Sequence, residues 1–170
     1  MDAKGYAERM GELLRQRRLS LGIAESCTGG LVSDLVTDVP GSSDYFVGGI
    51  VAYSNRSKQQ LLGVQAGTLD AHGAVSGPCA AEMAAGARRV LQADLAVSVT
   101  GIAGPSGGTA GKPVGLTFLH LSAPDAELGQ SMVWQGDRRA NKESSALAAL
   151  QLVVAYLQDG GLQRGPEKKG

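Results

Sequence analysis

The feature that most constrains this chain is a repeated change of pattern, in which short apolar runs end in glycine or hydroxyl residues and are followed by helical spacing. Residues 21–25 form such a run, then Gly29-Gly30 intervene, and Leu31, Val32, Leu35 and Val36 recur on one helical face before Pro40-Gly41. Residues 45–53 are rich in β-formers and precede a second helical segment over 55–62, with Asn55 as its expected cap. Residues 95–99 are a compact buried strand followed by 100–113, where glycines at 101, 104, 107, 108 and 111 leave only a loop. Strands that alternate with helices in this way pack as helices on both faces of a sheet.

The rest of the chain completes that frame. Tyr6, Met10, Leu13 and Leu14 predict a helix from residue 3 to about 19. A short turn begins at Thr68, and residues 76–91 read as a helix with Pro78 in its first turn. Residues 114–121 and 131–135 read as strands joined by a polar turn, which makes the sheet mixed. Residues 141–157 predict a final helix. The expected architecture is a single-domain three-layer α/β/α sandwich over residues 1–158, with 159–170 as a frayed tail. At 170 residues the chain buries roughly 70% of its unfolded surface and needs no metal or disulfide to fold.

Composition excludes several functions. Lys plus Arg and Asp plus Glu number 16 each, so no electrostatic footprint for nucleic acid or an anionic membrane is expected. Aromatic residues, at 4%, are too few for base-stacking platforms. No apolar run approaches the ~20 residues that span a bilayer, and the N-terminus lacks the apolar core of a secretion signal. Cys27 and Cys79 lie far apart without CxxC spacing, which fits free thiols in a reducing cytoplasm.

Chemistry concentrates in the loops. Ser26 sits where a strand turns into a helix, so the N–H groups of Thr28, Gly29 and Gly30 are candidate oxyanion donors if Ser26 attacks a carbonyl. Ser26 or Thr28 acting only as a helix cap is the simpler reading of that stretch alone. A base is available in Tyr53-Ser54-Asn55-Arg56-Ser57-Lys58. Lys58, desolvated beside Arg56 or against apolar walls, can lose its proton near neutrality, with Tyr53 relaying the proton or holding the amine. Otherwise both are ordinary surface residues. Gly101, Ala103 and Gly104 offer backbone N–H groups to an anion, with Ser106, Thr109 and Lys112 as further donors. Arg138 can grip a phosphate bidentately, or Asp137 caps the last helix and Arg138 faces solvent. His72 and His120 are isolated, so no Ser-His-Asp triad and no metal constellation is expected. Cys27 is a rival nucleophile, since a helix dipole lowers a thiol's pKa.

Taken in order, Ala24-Glu25-Ser26-Cys27-Thr28-Gly29-Gly30, Pro40-Gly41-Ser42-Ser43, Tyr53-Ser54-Asn55 with Lys58, Gly73-Ala74-Val75-Ser76, Thr100-Gly101-Ile102-Ala103-Gly104-Pro105, Lys112-Pro113-Val114-Gly115 and Gly136-Asp137-Arg138 resemble the CinA C-terminal domain family. The resemblance implies hydrolysis of the carboxamide of nicotinamide mononucleotide (NMN), as in the family's stand-alone amidohydrolases, without metal or other cofactor. It implies Ser26 as nucleophile, Tyr53 and Lys58 as its partners, Ser43 and Arg138 as further site residues, and a homodimer or larger homo-oligomer. Two departures are Gly77-Pro78, where many relatives carry Glu, and Asn141-Lys142, where many carry a second arginine; Arg139 or Lys142 is the expected substitute. Longer members of the family have been linked to DNA uptake and damage responses. A non-catalytic nucleotide- or partner-binding module is therefore the alternative.

Overall fold

The computed structural model describes residues 1–163. Its helices are α1 (Ala3–Arg17), α2 (Leu31–Thr37), α3 (Asn55–Leu62), α4 (Ala66–His72), α5 (Gly77–Leu91) and α6 (Arg138–Gln158). Its strands are β1 (Leu21–Glu25), β2 (Phe46–Val51), β3 (Leu95–Gly101), β4 (Leu116–Ala123) and β5 (Ala126–Val133). They form one sheet in the order β2-β1-β3-β4-β5. The first three strands are parallel, and β4 and β5 are antiparallel additions. Helices α1, α2 and α6 pack together on one face, and α3 and α4 pack on α5 over the other. The expected three-layer mixed sandwich is what the chain forms.

Side-chain size decides how closely each layer approaches. Leu21, Ile23, Leu95, Val97 and Val99 point from the central strands into the large core under α1, α2 and α6. The alternate positions carry Ala24 and Ala96, which join a smaller core with Met83 and Ala87 of α5. The hydroxyl of Ser98, fully buried in the same row, donates to the carbonyl of Ala80 at 2.6 Å. Helix α5 thus lies close to the sheet and in turn receives α3. A methyl group on Gly86 of α5 would lie 2.0 Å from the carbonyl oxygen of Leu62 at the end of α3.

Four local expectations are corrected. Ser54, rather than Asn55, caps α3, because its hydroxyl accepts the N–H of Ser57 while Ser57 returns a bond to the N–H of Ser54. The turn expected at Thr68 is the middle of a two-turn helix, α4. Its cap comes from elsewhere in the chain, with Glu82 of α5 accepting from the N–H of Gln65 and the hydroxyl of Thr68. The last strand is not 131–135 but 126–133, paired from Ala123↔Ala126 to Leu116↔Val133. As an edge strand with much of its length facing water it lacks the apolar alternation that marks a strand. Of the expected tail, Leu162 donates its N–H to the Tyr156 hydroxyl and Gly161 donates to the Tyr156 carbonyl; residues 164–170 lie outside those described. No helix among the described residues is long and apolar enough to cross a membrane.

The α3–α5 contact leaves no room at Gly86. Gly86→Ala is expected to destabilise the fold by about 1–3 kcal/mol through overpacking, read from the midpoint of a urea unfolding curve.

Candidate active site

Three parallel strands end at the same edge of the sheet, and the segments that leave them build the site. Alternation along β1 sends Leu21, Ile23 and then Glu25 toward the α1/α2/α6 layer, so the next residue, Ser26, falls on the side of α3 and α5. The N–H of Ser26 still donates to Val99 of β3, which holds it to the sheet. Residues 52–54 after β2 lead into α3, whose first turns carry Lys58. The end of β3 supplies Thr100 and Gly101, and the paired ends of β4 and β5 bring the start of α6 to the same edge.

Lys58 is 1% exposed. Its Nζ lies 2.8 Å from the Oγ of Ser26, 2.9 Å from the carbonyl oxygen of Ala52 and 3.3 Å from that of Tyr53. None of the three carries a charge. Burial therefore pulls the amine below its ordinary value of 10.5, and only the neighbouring Cys79 and Cys27 oppose this as thiolates. A neutral amine has two N–H donors and one lone pair. The two carbonyls can take the donors, which leaves the lone pair for the hydroxyl proton of Ser26. Arg56 does not contribute, because it turns away to Gln60 at 3.3 Å.

The helix end beside Ser26 is occupied by the protein itself. Glu25, fully buried, accepts from the N–H groups of Gly30, Val32 and Ser33 and from the Ser33 hydroxyl at 2.7–3.1 Å. These are the free donors of the first turn of α2. The N–H of Gly29 donates to the carbonyl of Ser26. Gly29 and Gly30 are therefore not available to an oxyanion, contrary to expectation. Their positive φ angles, 63° and 103°, serve the turn that folds this segment back over Glu25. The side chain of Thr28 is buried with its hydroxyl unpartnered among the described residues, and none of the bonds above engages the N–H of Cys27 or Thr28.

A cavity of about 250 Å³ opens at this edge, lined by Ser26, Cys27, Tyr53 and Lys58 on one side and by 100–104, Ser106, Gly107 and Arg138 on the other. Ala74 and Val75, tied to β3 by the Thr100 hydroxyl donating to the Ala74 carbonyl, close a third wall. Tyr53 is 60% exposed, and its phenol oxygen is 3.1 Å from Nη2 of Arg138. Its phenol holds Arg138, and its backbone carbonyl holds Lys58. Arg138 also donates to the carbonyl of Gly104 at 2.7 Å, which leaves fewer of its N–H groups for a ligand than a free side chain would offer. Asp137 caps α6 through the N–H of Ala140, as expected.

Other expected residues lie apart from this cavity within the chain or are engaged elsewhere. Ser43 lies in a 3-10 turn, Ser42–Asp44, that precedes β2, while Ser26 comes after the neighbouring parallel β1. The two are at opposite edges of the sheet, and Ser43 does not line the cavity. Arg139 pairs with Glu143 in solvent and substitutes for nothing in the site. Lys142 is better aimed, with its Nζ 3.8 Å from where a Cβ on Gly29 would be. Lys112 donates to the carbonyl of His72 and Thr109 accepts from Lys112, so both are engaged within loops. Cys27 has a raised pKa, not a lowered one. Burial pushes its thiol up to about 11, against smaller opposing effects from its own backbone and Lys58.

The CinA C-terminal domain family matches residues 3–157. The chain belongs to that family. A CinA-like protein of Chloroherpeton thalassium is 51% identical over 155 residues, covering 88% of this chain and 37% of its own length. A putative competence-damage inducible protein of Halothermothrix orenii is 46% identical over 158 residues, covering 92% and 38%. The chain therefore spans less than two-fifths of these curated relatives. Among solved structures, the competence/damage inducible protein CihA of Agrobacterium tumefaciens superposes with a TM-score of 0.90 at 39% identity, over 93% of this chain and 96% of that one. A CinA superfamily protein of Klebsiella pneumoniae superposes with a TM-score of 0.90 at 30% identity, over 94% and 99%.

Sequence reasoning gave no site role to Glu25, Ala74, Val75 or Asn141. Only Glu25 left a signal, as an acidic residue closing an apolar strand just before a glycine-started helix. The raised thiols give a direct check. Cys27 should be alkylated by iodoacetamide at pH ~7 about 100-fold more slowly than free cysteine, and Cys79 also more slowly than free cysteine, followed by intact mass.

Proposed function

We propose that the chain hydrolyses the carboxamide of nicotinamide mononucleotide to nicotinate mononucleotide and ammonia, with Ser26 as nucleophile and Lys58 as its general base. The observation that carries this reading is the 2.8 Å contact between the Ser26 hydroxyl and a buried, carboxylate-free Lys58 amine. A lysine in this setting has no structural counter-ion to satisfy. Its burial is unfavourable for stability and is understood as the means of keeping the amine basic but unprotonated.

The steps balance as an acyl transfer. The Ser26 Oγ forms a bond to the carboxamide carbon while its proton passes to Nζ of Lys58. The developing oxyanion is assigned to the N–H groups of Cys27 and Thr28, which come directly after the nucleophile and are free of the bonds that engage Gly29 and Gly30. The lysine then returns its proton to the leaving nitrogen, the C–N bond breaks, and ammonia departs. Water attacks the resulting ester, gives a proton to Lys58, and Ser26 leaves with that proton as nicotinate mononucleotide forms. Tyr53 is assigned a supporting role through its carbonyl on Lys58 and its phenol on Arg138. The phosphate of the substrate is assigned to the glycine loop at Gly101, Ala103 and Gly104, with the remaining donors of Arg138. A hydroxyl nucleophile at one side of the cavity and a glycine loop with an arginine at the other favour a small amide bearing an anionic group.

Ammonia release from NMN tests the reading. Ser26→Ala and Lys58→Met are each expected to lower kcat/KM by about 1,000-fold or more while both proteins keep the wild-type circular dichroism spectrum. Near-normal turnover in either variant would exclude that residue's role, and binding of NMN without turnover by the wild-type protein would leave a binding module instead.

The base also sets the pH dependence. Because burial lowers the pKa of Lys58 and the neutral form is the active one, kcat/KM should fall as pH drops through that lowered pKa and level off above it. The limb should lie below the ordinary lysine value of 10.5 and be absent from the residual activity of Lys58→Met.

A further inference from the structure

Asn141, just past the Gly136-Asp137-Arg138 motif, is 1% exposed and lies in the first turn of α6. Its side chain spans two loops. Oδ1 accepts the N–H of Gly136 at 3.0 Å, and Nδ2 donates to the carbonyl of Ala103 at 3.0 Å. The amide orientation is fixed, since one partner only donates and the other only accepts. Gly136 leaves space for this bridge, because a Cβ there would lie 3.2 Å from Oδ1 of Asn141 and 2.6 Å from the Cβ of Ala140.

The consequence reaches the cavity through the planarity of the peptide bond. In a trans peptide the N–H of one residue points opposite to the preceding carbonyl. The Ile102 carbonyl accepts from Gly115, so the N–H of Ala103 is turned away from Gly115. The Ala103 carbonyl is held by Asn141, so the N–H of Gly104 is turned away from α6. The Gly104 carbonyl is held by Arg138. Three successive carbonyls are thus held by protein donors, and neither N–H, Ala103 nor Gly104, is engaged by a described protein acceptor. Gly104 has a φ of 86°, a backbone state that suits a run of N–H groups converging on an anion.

We propose that Asn141 is the positioning residue for the phosphate of the substrate: by gripping the Ala103 carbonyl it aims the Gly104 N–H, beside that of Ala103, into the cavity as an anion nest. This rests on the proposed amidase only for the identity of the substrate; the anion nest is testable without it. Asn141 touches neither the nucleophile nor its base, so its effect falls on phosphate recognition and not on the acyl-transfer step.

Three measurements decide it. In the wild-type protein, titration with ribose 5-phosphate should shift the backbone amide resonances of Ala103 and Gly104 in a proton–nitrogen correlation spectrum. Unmoved resonances at saturation would overturn the proposal. In Asn141→Leu, an apolar residue of similar size, the dissociation constant for ribose 5-phosphate should rise about tenfold, the loss expected for one misdirected hydrogen bond to a charged group. With NMN the KM should rise by a similar factor while kcat changes little, and with nicotinamide riboside, which lacks the phosphate, kcat/KM should stay near the wild-type value. An equal loss on both substrates would make Asn141 merely structural and overturn the proposal. If wild-type protein turns over neither substrate, the amidase reading has failed, and the ribose 5-phosphate arms alone decide the nest. Should Asn141→Leu not fold, unmoved wild-type resonances would still overturn the proposal.

Discussion

The site depends on one buried contact without a counter-charge: the amine of Lys58 against the hydroxyl of Ser26. A lysine is rarely fully buried, and here no carboxylate offsets its desolvation. The pair of backbone carbonyls just past β2, Ala52 and Tyr53, makes it tolerable. Those carbonyls are in reach only because α3 begins directly after them, capped by Ser54, and lies against α5. Helix α5 can lie there only because the sheet beneath it carries Gly22, Ala24, Ala96 and Ser98 instead of larger side chains. The chain of dependence thus runs from small residues in the strands to the depth of a helix, and from that depth to the protonation state of one amine.

Glu25 supplies the complementary constraint on the other partner. A carboxylate with no solvent contact takes three backbone N–H groups and a hydroxyl at the start of α2. The usual positive end of that helix is therefore neutralised from within. This explains why Cys27, a thiol at the start of a helix, has a pKa raised instead of lowered: burial dominates, and the carboxylate beside it cancels the dipole that would have favoured a thiolate. The same carboxylate fixes the turn that ends β1, and with it the direction of Ser26. Nucleophile and helix cap are adjacent residues on opposite faces of one strand, so a single strand end serves both layers.

Much of this was legible in the sequence because the chemistry sits at element boundaries, and boundaries carry glycine, hydroxyl and proline signals. The layered fold and the hairpin end of the mixed sheet arise from local patterns, whereas the grouping of Ser26, Tyr53, Lys58 and Arg138 in one site came from the family resemblance, because each stretch alone also fitted a cap or a surface residue. Features that depended on partners distant in the chain were not legible. Helix α4 was hidden because Glu82, on another helix, caps it. Strand β5 was hidden because an edge strand facing water has no apolar alternation. Gly29 and Gly30 looked like open donors because the sequence cannot say that Glu25 folds back onto them. Ser43 was expected in the site from the family resemblance, and motif order along the chain does not record that its loop precedes β2 while Ser26 follows β1.

The division of the sheet also divides the work. The parallel half, β2-β1-β3, ends in the groups assigned to bond making: the hydroxyl, the amine and the carbonyls that hold it. The antiparallel half contributes no reactive group, yet β4 and β5 carry the chain back so that Gly136, Arg138 and Asn141 meet the loop leaving β3. Rigidity there is worth more than reactivity. An N–H group recognises an anion only if it is already pointed at it, since turning a peptide after binding would consume the interaction it makes. Fastening the carbonyls of residues 102–104, with one backbone N–H, one buried amide and one guanidinium, fixes that direction before any ligand arrives. The uncharged Asn141 suits this task better than a charged residue in the same buried position, because it satisfies a donor and an acceptor at once without a desolvated charge.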